Sequence, residues 1–167
     1  MAIIEELLAE LEQEAASTRR VLERIPQAHL SWKPHPKSMS LGQLALHVAT
    51  VPGNVAELAA LDVSPAPSKF IQPEAATTAE LLPSLAESVA KAKRAIGGYD
   101  DAKMLATWRL QSNGKELLVM PRVAFVRAIM LNHWYHHRGQ LLVYLRLLDL
   151  PVPSVYGPSA DENPFAA

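Results

Sequence analysis

Residues 121–149 read PRVAFVRAIMLNHWYHHRGQLLVYLRLLD, and this stretch decides the fold. Pro121 is well placed as a first helical residue, and Pro151 and Pro153 forbid continuation beyond about Asp149, so one long helix is expected between them. At 3.6 residues per turn Val126, Met130, His133, His137, Leu141, Tyr144 and Leu148 fall on a single stripe. That stripe otherwise carries core residues, so His133 and His137 are expected to point inward, one turn apart on the same face. Imidazoles stacked in this way can share a metal ion at the usual nitrogen distance of ~2.0–2.1 Å. His136 lies three residues from His133 and would also permit a pair, although it shares its stripe with Ile129 and Val143.

Two imidazoles hold a divalent ion weakly, and His47 is the candidate for a third. It follows Leu44 by three residues and precedes Val51 by four, which places it on the buried face of an earlier helix. That helix is expected from Leu41 to about Leu61, opened by the capping-box pair Ser40 and Gln43. Pro52 and Gly53 should kink or interrupt it, since proline lacks an N–H and crowds the preceding turn. A first helix is expected over Ala2 to Ile25, with Glu5, Glu6 and Glu10 early and Arg19, Arg20 and Arg24 late, in line with the helix macrodipole. A third is expected over Leu81 to Ile96, preceded by Thr77 and Glu80 as a capping pair and closed by Gly97 and Gly98. The prolines of Ser64 to Pro73 mark a loop, and Asn113-Gly114 between short apolar runs marks a small hairpin within Thr107 to Met120.

The neighbours of the histidines have their own readings. Gly139 inside a helix costs about 1 kcal/mol relative to alanine, which points to close approach of another backbone or a bound ligand. Arg138 reads either as a group that orients ligands or meets an anionic substrate, or as a solvated arginine; Gln140 reads as an interhelical amide. Trp32, Trp108 and Trp134 read as core or interface anchors, and His29 and His35, in or beside the proline-rich loop, as surface residues.

Composition narrows the function classes. The 167 residues suit one domain, and 49% hydrophobic with 20% charged residues is a globular balance. A net charge of -1 offers no basic field for nucleic acid or an anionic membrane surface. No apolar run spans a bilayer and the acidic N-terminus is unlike a signal peptide, so a cytoplasmic location is expected. With no cysteine, a thiol nucleophile, a disulfide framework and thiolate-bound metal are excluded, and any metal must use nitrogen and oxygen ligands.

Three stretches carry a resemblance to a known family: Trp32-Lys33-Pro34-His35-Pro36-Lys37-Ser38-Met39-Ser40-Leu41-Gly42 leading into His47, then His133-Trp134-Tyr135-His136-His137-Arg138-Gly139-Gln140, then Pro151 through Tyr156-Gly157-Pro158-Ser159-Ala160-Asp161-Glu162. On these the chain resembles the DinB/YfiT-like superfamily of metalloenzymes over nearly its whole length. The resemblance implies an all-α, up-down-down-up four-helix bundle covering residues 1–167. It also implies a homodimer, and a histidine triad that binds a divalent metal such as zinc or nickel. The family pattern maps onto His47, His133 and His137, which selects His137 over His136. Understood relatives include transferases and isomerases that use low-molecular-weight thiols. The expected function is therefore a divalent-metal-dependent enzyme acting on a small molecule, as a small-thiol-dependent transferase or a hydrolase. The alternative is a non-catalytic metal- or ligand-binding stress-response module. An absent cysteine fits an external thiol and hydrolysis equally well, and no residue stands out as a general base.

Overall fold

Ser40 Oγ accepts from the Gln43 N–H at 3.1 Å while Gln43 Oε1 accepts from the Ser40 N–H at 2.9 Å, the reciprocal cap that the sequence signals. Helix α2, Leu41–Ala60, starts there. The computed structural model describes residues 2–166. The other long helices are α1, Ile3–Leu22, and α3, Leu81–Ile96; a short α4, Asp101–Leu105, follows. The capping pair Thr77 and Glu80 opens a single 3-10 turn, Thr78–Glu80, ahead of α3. The last helical stretch comprises α5, Arg122–Phe125, a π-helical segment, Val126–Asn132, and α6, His133–Leu147.

The expected helical chain with a short hairpin before its last helix gains one further strand, the part of the all-α expectation that needs correction. A three-stranded sheet is present, with β1, Val63–Pro65, parallel to β2, Thr107–Ser112, which is antiparallel to β3, Lys115–Pro121. The hairpin β2–β3 is the one read from Asn113-Gly114, and both turn residues have positive φ, 50° and 75°, as the tight two-residue turn requires. The parallel strand β1 lies at the start of the stretch read as a loop. Its three residues pair only because Arg109 to Gln111 stand beside them, a partner more than forty residues downstream.

Pro52 does not interrupt α2, which continues beyond it to Ala60. The backbone groups that Pro52-Gly53 disturbs find other partners. Without a proline N–H the carbonyl of Val48, four residues back, has no helical donor, and the buried indole of Trp134 donates to it at 2.7 Å. Gly53 N–H donates to Ser88 Oγ at 2.8 Å, and Ser88 Oγ donates to the Thr50 carbonyl at 3.1 Å. A Cβ at position 53 would lie 2.8 Å from the Ser88 carbonyl, so only glycine lets α2 and α3 come this close.

Two buried arginines complete the frame. Arg122 donates to the Ala59, Leu61 and Lys103 carbonyls and to Asp62, satisfying the C-terminus of α2. Arg138 is 1% exposed, which excludes the solvated reading of its side chain. It pairs with buried Glu14 of α1 at 2.5 Å and donates to Thr18 Oγ1 and the Tyr156 hydroxyl. Among the described residues no helix is long and apolar enough to cross a membrane.

Replacing Trp134 by Phe should cost about 1–3 kcal/mol, because the buried Val48 carbonyl loses its donor. In a Pro52→Ala background the cost should be smaller, since Ala at position 52 restores an N–H to that carbonyl. Urea unfolding of the four proteins of this cycle measures the coupling, and strict additivity would refute the exchange. Glu14→Ala should destabilise by about 3–5 kcal/mol, as it strands the Arg138 charge in the interior; the midpoint of denaturant unfolding reads this directly.

Candidate metal centre

His47, His133 and His137 converge. Each offers a ring nitrogen, and the three nitrogens all lie within 4.8 Å of one another. The rings meet edge to face, with centroids 5.3 Å apart for His47 and His133, 4.6 Å for His47 and His137, and 4.5 Å for His133 and His137. His136 is exposed and outside the cluster, as are His29 and His35.

The last helix presents its pair differently from the stripe read in sequence. Its buried line runs through Val126, Met130, Trp134, Arg138, Leu141 and Leu145, and His133 and His137 are half-buried on its flank. The π segment supplies the extra residue that moves them off the centre. With successive residues ~100° apart around the axis, fixing Trp134 against Val48 and Arg138 against Glu14 turns His133 and His137 toward α2.

Each of these two rings is oriented through Nδ1. Because the π turn sends the His133 backbone N–H to the Ala128 carbonyl, five residues back, His133 Nδ1 meets the Ile129 carbonyl at 3.2 Å. His137 Nδ1 meets Gln140 Oε1 at 2.7 Å. Both partners are acceptors, which assigns the proton to Nδ1 and leaves a lone pair on each Nε2. Gln140 therefore serves its own helix rather than acting as an interhelical amide. Gly139 faces open space: a Cβ at this position would meet nothing within 4 Å, so the close approach expected there is absent.

The Nε2 atoms of His133 and His137 stand 2.7 Å apart. Two lone pairs at that separation repel unless a proton or a cation lies between them. His47 Nε2 is buried and has no hydrogen-bond partner, a costly state for a polar atom. Two nitrogens that are adjacent ligands of one ion at ~2.0–2.1 Å lie ~3 Å apart, so a divalent ion suits both features. Burial, then the neighbouring His137 and His133, pushes the His47 pKa down to about 4. Burial is also the main cause of the lowered values of His133 and His137, opposed by the Ile129 and Gln140 hydrogen bonds. All three rings are thus held in the neutral form that ligates metals.

The triad faces a cavity of about 270 Å³. Val51, Asn54, Val55 and Leu58 continue the His47 face of α2 along its wall, Ile129 contributes from the π segment, and Phe70 and Gln72 come from the segment after β1. The wall residues of α2 were open to sequence reading at helical spacing from His47. Phe70 and Gln72 carried no such signal, because their segment is drawn here by bonds to the distant start of α2: Gln43 Nε2 donates to the Gln72 carbonyl at 3.1 Å and Ser40 Oγ donates to Glu74 at 3.0 Å.

Known proteins share this architecture. The sequence model of the DinB family matches residues 1–164. The Bacillus subtilis (strain 168) protein YrdA is 24% identical over 168 residues, which cover 95% of this chain and 91% of the relative. A DinB-like protein from Bacillus cereus ATCC 10987 has a similar structure, with TM-score 0.67 and 23% identity over 91% of this chain and 97% of that one. The DinB-like protein YjoA of Bacillus subtilis gives 0.68 and 20%, over 90% and 97%. At these identities the structures establish a shared fold.

The metal-free protein should lose stability as pH falls from about 6.5 to about 4. In that window the unfolded chain protonates His47 and the folded chain does not, so acid favours unfolding. The His47 contribution should fall short of the ~1.36 kcal/mol carried by each pKa unit, because solvent screens the partly buried ring. Urea unfolding followed across this range should show a shallower dependence in His47→Leu, and an unchanged slope would count against the buried neutral ring.

Proposed function

The chain belongs to the DinB family, and we propose that it is a divalent-metal-dependent enzyme whose ion is held by His47, His133 and His137. The observation that carries this reading is the meeting of three ring nitrogens at a cavity wall, one of them buried without a partner. We read the four long helical stretches as an up-down-down-up four-helix bundle, in which metal sites are built from facing helices. Zinc or nickel suits three neutral imidazoles. A site with three protein ligands leaves coordination open to the cavity, the arrangement used for chemistry rather than for structure.

When bound, such an ion supplies Lewis acidity, which lowers the pKa of a thiol or of water so that an anionic nucleophile exists near neutral pH. The activity that fits is transfer of a small thiol, or hydrolysis. The chain's own contribution is positional. Ile129 and Gln140 hold the His133 and His137 rings through Nδ1, and the pin between Trp134 and Val48 keeps His47 opposite them. Val51, Val55 and Ile129 make the cavity wall beside them apolar.

Among the described residues no carboxylate, hydroxyl or lysine lines the cavity. Protons must then pass to solvent or to the substrate itself. The same observation favours a second reading, a non-catalytic module that binds a metal or ligand, and turnover separates the two. Metal-loaded protein should act on thiol and electrophile pairs or on activated esters and amides; inactivity across that panel leaves the module.

Metal analysis after dialysis should find one divalent ion per chain, lost in His47→Ala. Gln140→Ala should retain the site but weaken metal affinity about 10–100-fold, the usual effect of removing a group that orients a ligand. Undiminished metal content in His47→Ala would eliminate the triad.

A further inference from the structure

Among the described residues the cavity beside the triad has an uncharged lining. Val51, Val55, Leu58 and Ile129 form apolar walls, and Phe70 stands at the mouth, 79% exposed. The remaining lining side chains, Asn54 and Gln72, are neutral amides. Three neutral imidazoles add no charge. A divalent ion at the triad would therefore be the one full charge beside this lining, and an anionic donor atom on the ligand would answer half of it. A second charge on the ligand, placed against the buried Val51 and Val55, would lose its water with no partner in exchange.

On the reading of a metal at His47, His133 and His137, we infer that the site takes a compact, uncharged and largely apolar substrate body, tethered by a single metal-binding donor. Charged or zwitterionic thiols of peptide size do not fit this chemistry. Leu58 sets the preference at the outer wall, since it lines the cavity and is 36% exposed, within reach of the body of a bound ligand.

The test uses the full chain loaded with cobalt(II) and the thiolate-to-cobalt charge-transfer absorption as readout. The thiol binds as its thiolate, releasing its proton to solvent, with no change of oxidation state. Three probes share one shape and differ at the far end: 4-methylbenzyl thiol, 4-(mercaptomethyl)benzoate and 4-(aminomethyl)benzyl thiol. Para substituents cannot reach back to the metal that holds the sulfur, so the comparison reads the walls. The neutral thiol should bind at least ten-fold tighter than either charged one, and a smaller ratio overturns the inference. Leu58→Lys, an exposed position whose retained fold is checked by cobalt uptake, should bring the ratio of neutral thiol to benzoate below three; an unchanged ratio overturns the role of this wall. Failure of the chain to bind cobalt at all is a different result, which refutes the metal reading and the inference with it.

Discussion

A single missing hydrogen organises the centre of this molecule. Pro52 cannot donate to the Val48 carbonyl, and the Trp134 indole does so instead, in the interior and at 2.7 Å. The donor is the residue after His133 and the acceptor is the residue after His47, so the contact that repairs α2 also sets the two histidine-bearing helices in register. Arg138 acts with it from the other side. One turn beyond Trp134, it is locked to Glu14 and Thr18 of α1, and the two anchors together leave α6 no freedom to rotate. The direction of His133 and His137 is a consequence of where their neighbours are tied.

The π segment adds a second adjustment. By taking the backbone N–H of His133 to a carbonyl five residues back, it lets the Ile129 carbonyl face the imidazole. Regular α-helical bonding would direct that carbonyl to the His133 backbone. Such wide turns recur at functional sites, and here the reason is visible: the turn orients one ring and shifts both histidines to the edge of the core, where a cavity reaches them. A histidine on the core line itself would have been sealed among Met130, Leu141 and Leu145.

The electrostatic character of the centre follows from that edge position. His47 Nε2 is covered and unpartnered, the other two Nε2 atoms face one another, and burial lowers all three pKa values. As a set of neutral rings the cluster carries a repulsion that a shared proton or a bound cation would relieve. The other described residues of the lining offer that cation no competing charge. The neutral rings and the wall beside them, built from apolar side chains and neutral amides, form one uncharged surface.

Much of this was legible in the sequence. Local rules located α2 and its cap, the hairpin at Asn113-Gly114, the inward face of His47 and the four-residue spacing of His133 and His137, because caps, turns and helical periods act over a few residues. The choice of His137 over His136 came from resemblance to the family. Tertiary structure decided the remainder. Strand β1 exists only beside β2, Arg138 is buried only because Glu14 arrives from α1, and Pro52 is tolerated only because Trp134 supplies the donor it lacks. Phe70 and Gln72 reach the cavity through a tether that no local pattern announces. Residue types and spacings determine which groups can share a face; which of them meet depends on hydrogen bonds and ion pairs closed between segments far apart in the chain, and those are properties of the packed molecule.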